Sequence, residues 1–317
     1  MKKLIVLLLS LFFLLSTALP AGMAEEKPLK IVTTIFPIYD WVRQIIGEQD
    51  ADVTMLMDSG VDLHNFQPTA QDILTIAQCD LFIFIGGESD EWTEDVLKTA
   101  QNESMTAINL LDALGDDVKE EEIVEGMEAE EEEGEEEEAE SDEHVWLSLR
   151  NAEKLVKVIA ETLAAIDTEK AEPYRANAES YIEKLQALDA QYAEAVNAAA
   201  FQTLLFGDRF PFRYLADDYG LTYYAAFAGC SAETEASFQT ILFLAQKVDE
   251  LGLPAVLTIE NPKTRIAETV VNATQKKNQK ILSLNSMQGM TAQEVKDGAA
   301  YLSLMENNLI VLRDALN

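Results

Sequence analysis

The sequence predicts an α/β protein of two lobes, each a mainly parallel sheet flanked by helices, with one long rigid backbone helix joining them. Short β-branched apolar runs alternate with helical patterns from Lys30 to Gly87, and the same rhythm resumes at Thr203. Between the two, a single apolar stripe recurs at spacings of four and three. Apolar residues make up 48% of the 317, enough for a core in each lobe.

At the N-terminus, Met1-Lys2-Lys3 precedes an apolar or small stretch over 4–19, followed by Pro20-Ala21-Gly22-Met23-Ala24. A positive flank, a short apolar run and small residues read as a secretory signal over 1–24. The run is short for a membrane span, and no Cys follows it to take a lipid. The expectation is a soluble protein secreted across the cytoplasmic membrane, periplasmic or extracellular.

The first lobe is expected over 25–166. Residues 30–36 read as a strand stopped by Pro37, 38–46 as a helix closed by Gly47, and 53–57 as a second strand. Thr69 or Asp72 can cap the next helix, and 81–85 is a third strand ending at Gly86-Gly87. Strands separated by helices pair in parallel, and ligands of such sheets gather at the carboxyl ends of the strands. The loop carrying His64 and the Gly86-Gly87 turn both fall there.

A helix is expected over 151–166. From Pro173 onward, Tyr174, Ala178, Tyr181, Leu185, Leu188, Tyr192 and Ala195 form one stripe. It predicts a linking helix within 167–200, about 40 Å long at about 1.5 Å per residue, able to reach from lobe to lobe. Strands at 203–206, 221–227, 255–259 and 280–284 then alternate with helices at 214–219, 238–251, 264–276 and 299–316. They make a second lobe over 201–317.

The 23 basic and 57 acidic side chains leave a formal net charge of -34, which excludes nucleic acid as a partner because phosphates are repelled. The charge is uneven: 116–143 carries 18 acids and one Lys, a local -17. Blocks of like charge repel and stay extended, so 116–143 reads as a flexible acidic insert, with weak gathering of cations as the sharper alternative. Of the two cysteines, Cys79 precedes a buried strand and reads as core. Cys230 lies in a loop, where it could be inert, paired or near a ligand.

The chain has only two histidines. His64 sits in a strand-to-helix loop, and His144 closes the acidic segment. Neutral imidazole is a common metal ligand, although an isolated His more often caps or packs.

The stretch Gly60-Val61-Asp62-Leu63-His64-Asn65-Phe66-Gln67-Pro68-Thr69 resembles the first histidine loop of the solute-binding proteins that serve zinc and manganese ABC transporters. Glu143-His144-Val145-Trp146-Leu147 is similar to that family's second histidine motif. Further matches lie in order along nearly the whole chain, at Gly86-Gly87-Glu88, Asp218-Tyr219-Gly220-Leu221 and 301–309. The resemblance implies two lobes joined by a rigid helix, with a metal in the cleft and His64 and His144 supplied by the first lobe. It implies a third ligand in Phe206-Gly207-Asp208-Arg209, where Asp208 is the best-fitting carboxylate. Asn285 stands where the family places a final Asp, and Glu260 and Cys230 are alternates. Capping a helix, or pairing with Arg209 or Arg213, is the structural role open to Asp208.

Two His and a carboxylate suit zinc better than manganese, which prefers more oxygen donors; manganese or iron on the same scaffold is the alternative. The implied function is an extracytoplasmic receptor, a monomer and not an enzyme, that delivers Zn2+ to an ABC-transporter membrane permease. A secreted zinc hydrolase competes with this reading but lacks a His-Glu-x-x-His helix. A calcium-dependent adhesin lacks the corresponding acidic loop.

Overall fold

The computed structural model describes residues 27–128, 140–231, 235–260 and 264–317. The expected signal over 1–24 and the centre of the acidic insert, 129–139, lie outside the described residues. Among those described, no helix is long and apolar enough to cross a membrane.

The first lobe contains β1 (Leu29–Thr33), α1 (Phe36–Ile46), β2 (Ala51–Met55), α2 (Ala70–Ala77), β3 (Leu81–Phe84), α3 (Trp92–Leu97), β4 (Thr106–Asn109) and α4 (Leu110–Leu114). Its sheet has the order β2-β1-β3-β4, all parallel. The sequence reading missed β4, because four residues with one buried side chain, Ile108, are too few to register a period. Helix α1 starts two residues before the expected position. Pro37 opens the helix instead of merely ending the strand, since its missing N–H is no loss in a first turn.

Helices α5 (Leu149–Ile166) and α6 (Ala171–Asn197) follow. Tyr174, Ala178, Tyr181, Leu185, Leu188, Tyr192 and Val196 of α6 are buried. Val196, four residues beyond Tyr192, closes the stripe in place of the expected Ala195. Near its start α6 grips the first lobe: Asn177 Nδ2 donates to Ile45 O at 3.0 Å, and Tyr181 OH donates to Asp40 at 3.3 Å.

The second lobe contains β5 (Thr203–Phe210), α7 (Arg213–Tyr219), β6 (Thr222–Ala228), α8 (Phe238–Leu251), β7 (Ala255–Ile259), α9 (Arg265–Ala273), β8 (Lys280–Leu284), α10 (Ala292–Lys296) and α11 (Tyr301–Ala315). Its parallel sheet has the order β6-β5-β7-β8. Here α6 makes its second attachment, as Tyr192 OH donates to Met305 O on α11 at 2.6 Å. One apolar cluster runs without a break from Ile31 and Trp41 through α5 and α6 to Leu257 and Tyr301. Each fully buried Leu in it contributes about 2 kcal/mol. A core shared in this way opposes hinge motion, because separating the lobes would expose it.

The acidic segment departs from the expected solvated spacer at both flanks. Glu121 N donates to Glu140 O and Asp142 N to Lys119 O, so the two flanks pair with each other. Glu128 N donates to Ala226 O on β6, and Tyr223 OH donates to Glu122. Backbone pairing and burial of its last members outweigh charge repulsion here; Asp142 and Glu143 are each only 2% exposed.

Candidate metal centre

The loops at the carboxyl ends of both sheets face one another, and the two histidines meet between them. His64 lies in a single 3-10 turn, Leu63–Asn65, started by Asp62, whose carboxylate accepts from His64 N at 3.2 Å. Its Nδ1 contacts Ser89 Oγ at 2.8 Å and lies 3.7 Å from Glu143 Oε2. Ser89 is set by the glycine turn: Gly87 has φ 78°, and Ser89 N donates to Glu143 Oε1 at 2.8 Å. Asp90 holds the other side of that turn by accepting from Ile85 N and Gly86 N at 2.8 and 3.2 Å.

His144 is fully buried. Both its Nδ1 and its backbone N lie 2.9 Å from Asp142 Oδ1. A carboxylate accepts there, so Nδ1 carries the hydrogen and Nε2 presents its lone pair to the cleft. The two Nε2 atoms are 3.3 Å apart. Zinc–nitrogen bonds of about 2.0–2.1 Å at a tetrahedral angle place two nitrogens about 3.3–3.4 Å apart. The histidines therefore stand at the span that one tetrahedral ion requires.

Gln288 closes a third side. Its amide Nε2 lies 2.7 Å from His144 Nε2 and 3.2 Å from His64 Nε2, so its two hydrogens serve both lone pairs. Turned over, the same amide offers a carbonyl oxygen. Sequence reasoning stopped three residues short, at Asn285. The positive φ of Met287, 61°, which no residue pattern announces, bends the chain after β8 and accompanies the inward placement of Gln288. Asn285 builds that bend: its Oδ1 accepts from Met287 N at 2.8 Å, and its backbone pairs with the Asn308 side chain.

Asp208 is likewise engaged elsewhere. One carboxylate oxygen accepts from Arg209 N at 2.9 Å and the other from Ile259 N at 3.3 Å, securing the irregularity in β5 between Phe206 and Arg209. Glu260 accepts from Ser286 N and from Ser286 Oγ, both at 2.7 Å, beneath the Gln288 turn. Asp208 does not join the ligand atoms gathered at the histidines, and the Asn285 side-chain oxygen is taken by Met287 N. Besides Gln288, Cys230 is brought to the histidines, its Sγ forming with His64 and His144 a group of ligand atoms all within 4.8 Å of one another. Arg209, which sequence reasoning treated only as a possible partner for Asp208, crosses the cleft to pair with Asp62 and donates to Ser231 O at 3.2 Å.

Electrostatics favour a cation. Burial, reinforced by the neighbouring His144, pulls His64 down to about 3, so its ring is neutral and ready to ligate at ordinary pH. Burial raises Glu143 to about 7 and also raises Glu260 and Asp208 above the usual carboxylate range. Of these, Glu143 stands beside the histidines, its Oε2 3.7 Å from His64 Nδ1, where a bound cation would favour its ionised form. A hydrogen-bond chain ties the parts together: Tyr301 OH donates to Trp146 O at 2.6 Å, and Trp146 Nε1 donates to Ser286 O at 2.8 Å. It links α11, the His144 turn and the Gln288 turn.

Two parallel-sheet lobes, a connecting helix and a histidine-lined cleft define the class of two-lobed metal-binding solute receptors. The chain belongs to the ZnuA family, zinc-uptake complex component A periplasmic, which it matches over residues 31–315. It is 32% identical to the zinc-binding protein AdcA of Streptococcus pyogenes, over 99% of this chain and 61% of that protein. It thus spans about 61% of the length of that relative. Identity to the high-affinity zinc uptake system protein ZnuA of Bacillus subtilis is 31%, over 93% of this chain and 90% of the relative. The Zn(II)-bound ZnuA-like domain of Streptococcus pneumoniae AdcA superposes with a TM-score of 0.72 at 31% identity, covering 92% of this chain and 99% of that domain.

Proposed function

We propose that this protein captures a divalent transition metal, zinc before manganese or iron, in the cleft between its lobes and delivers it to the membrane permease of an ABC-type importer. The observation that carries this reading is the pair of Nε2 atoms, 3.3 Å apart, with the His144 lone pair fixed toward the cleft by Asp142. The relatives named for zinc binding and zinc uptake support it. The protein acts outside the cytoplasm as a monomer, exported by the signal over 1–24. As a carrier it catalyses no reaction, a reading supported by its membership of a family of zinc-uptake components. His64 and His144 are the core ligands. Asp208 and Asn285 act as supports, since their side chains already serve backbone groups.

Calorimetric titration of chelator-stripped protein tests the reading. Zinc binds one ion per chain and more tightly than manganese, and His64→Ala and His144→Ala each weaken binding beyond the about 10–100-fold typical of outer-shell changes. Unaltered stoichiometry and affinity in both variants would place the metal elsewhere and end the proposal.

A further inference from the structure

Cys230 enters the cleft in a manner that neither the fold nor the histidine motifs require. It follows the carboxyl end of β6, and its backbone N donates to Glu121 Oε1 at 2.9 Å. The next residue is held by Arg209, which donates to Ser231 O. The preceding Gly229 lies against His144, where an added Cβ would come within 3.0 Å of the ring Cε1 and of Phe210 O. The thiol is thus clamped from both sides and brought up to the imidazoles, its Sγ and the two histidine ligand atoms all lying within 4.8 Å of one another.

We infer that Cys230 is the third protein ligand and that the cleft is a two-histidine, one-thiolate site closed by the Gln288 amide oxygen. The inference deepens the metal-receptor reading and rests on it. Thiolate is a soft donor, so the site's cargo is a thiophilic cation that accepts tetrahedral geometry, which zinc does and manganese does not. On binding, the S–H bond breaks, the proton passes to solvent and the sulfur lone pair bonds the metal. The thiolate also brings into the cleft the negative charge that Gln288 and Asn285 cannot supply.

Cobalt(II), which reports sulfur ligation by its colour, is the probe. Chelator-stripped protein kept reduced with a phosphine is titrated with cobalt and then with zinc, as wild type, Cys230→Ser, Cys79→Ser and His144→Ala. Cys79 lies in the separate apolar cluster with Val32, Ile76 and Phe82, so Cys79→Ser is the control for any band from the other thiol. Wild type and Cys79→Ser show a near-ultraviolet sulfur-to-cobalt band that zinc abolishes. Cys230→Ser keeps the visible cobalt bands and loses the near-ultraviolet one, and its preference for zinc over manganese narrows by more than about tenfold. A wild type that binds cobalt and zinc through His144 without that band, or a Cys230→Ser variant that retains it, overturns the thiolate and leaves the metal-receptor reading standing. Failure of every variant, wild type included, to bind either ion overturns both. Circular dichroism of each stripped variant separates lost ligation from lost fold.

Discussion

Removing the Asp142 carboxylate should weaken zinc binding although Asp142 touches no metal. Its Oδ1 lies 2.9 Å from both His144 Nδ1 and His144 N, in a site where His144 is wholly buried and Asp142 2% exposed. A hydrogen bond to a charged group in such surroundings contributes about 1.5–3 kcal/mol. It tightens when a metal draws electron density from the ring, so most of it falls on the bound state. The conversion gives a loss of about 10–150-fold for Asp142→Ala, in line with the about 10–100-fold typical of outer-shell partners of ligating histidines. Asp142→Asn retains an oxygen acceptor and loses only the charge, so its deficit belongs at the lower end, about tenfold. The turn itself should survive, because Asp142 N donates to Lys119 O and Tyr214 OH donates to Asp142 O at 2.8 Å. Competition against a coloured chelator at fixed pH reads the affinity, and thermal melting of the stripped proteins reads the fold. An Asp142→Ala protein that folds and binds zinc within about threefold of wild type refutes the argument that this bond orients the ligand.

Asp90→Asn should flatten the pH dependence of stability. Burial raises the Asp90 carboxyl from 3.8 to about 6, so its contribution is fully present below pH 3.8 and is lost as pH rises through about 6. That interval corresponds to about 3 kcal/mol, and denaturant unfolding of both stripped proteins at pH 3.5 and 7.5 should show their stability difference changing by about that amount. Gly87→Ala should cost about 2 kcal/mol or more, since φ is 78° and the new Cβ would sit 2.4 Å from Glu143 Oε1; a melting temperature equal to wild type would contradict it. Tyr301→Phe removes the donor to Trp146 O and should lower stability by about 1 kcal/mol while weakening zinc binding less than Asp142→Ala does.

The elements with a long or clean period were legible from residues alone. The α6 stripe and the strands β7 and β8 stand where the pattern put them, and the two histidines picked out by the family resemblance meet in the cleft. What escaped was local and geometric. Strand β4 is too short for its alternation to register. The flanks of the acidic segment fold back because of backbone pairing with β6 and each other, which composition does not encode. Asp208 and Asn285 were singled out because they stand where the resembled family places its later ligands. Whether such a side chain reaches the cleft or caps its own backbone depends on one or two torsions, and at Met287 a positive φ hands the inward position to Gln288.

Strand β6 forms one border of the second sheet, and Glu128 pairs with it at Phe227. An uncovered border strand offers a row of unpaired amides and carbonyls on which a second molecule can add a strand. Here Glu128 and Glu122, both acidic, are the residues that meet β6, Glu128 through its backbone and Glu122 through Tyr223 OH, so the contact that covers the border also brings negative charge to it. Wherever the protein is concentrated, that pairing acts against strand-to-strand self-association of its own copies, a protection independent of any part the acids play at the cleft.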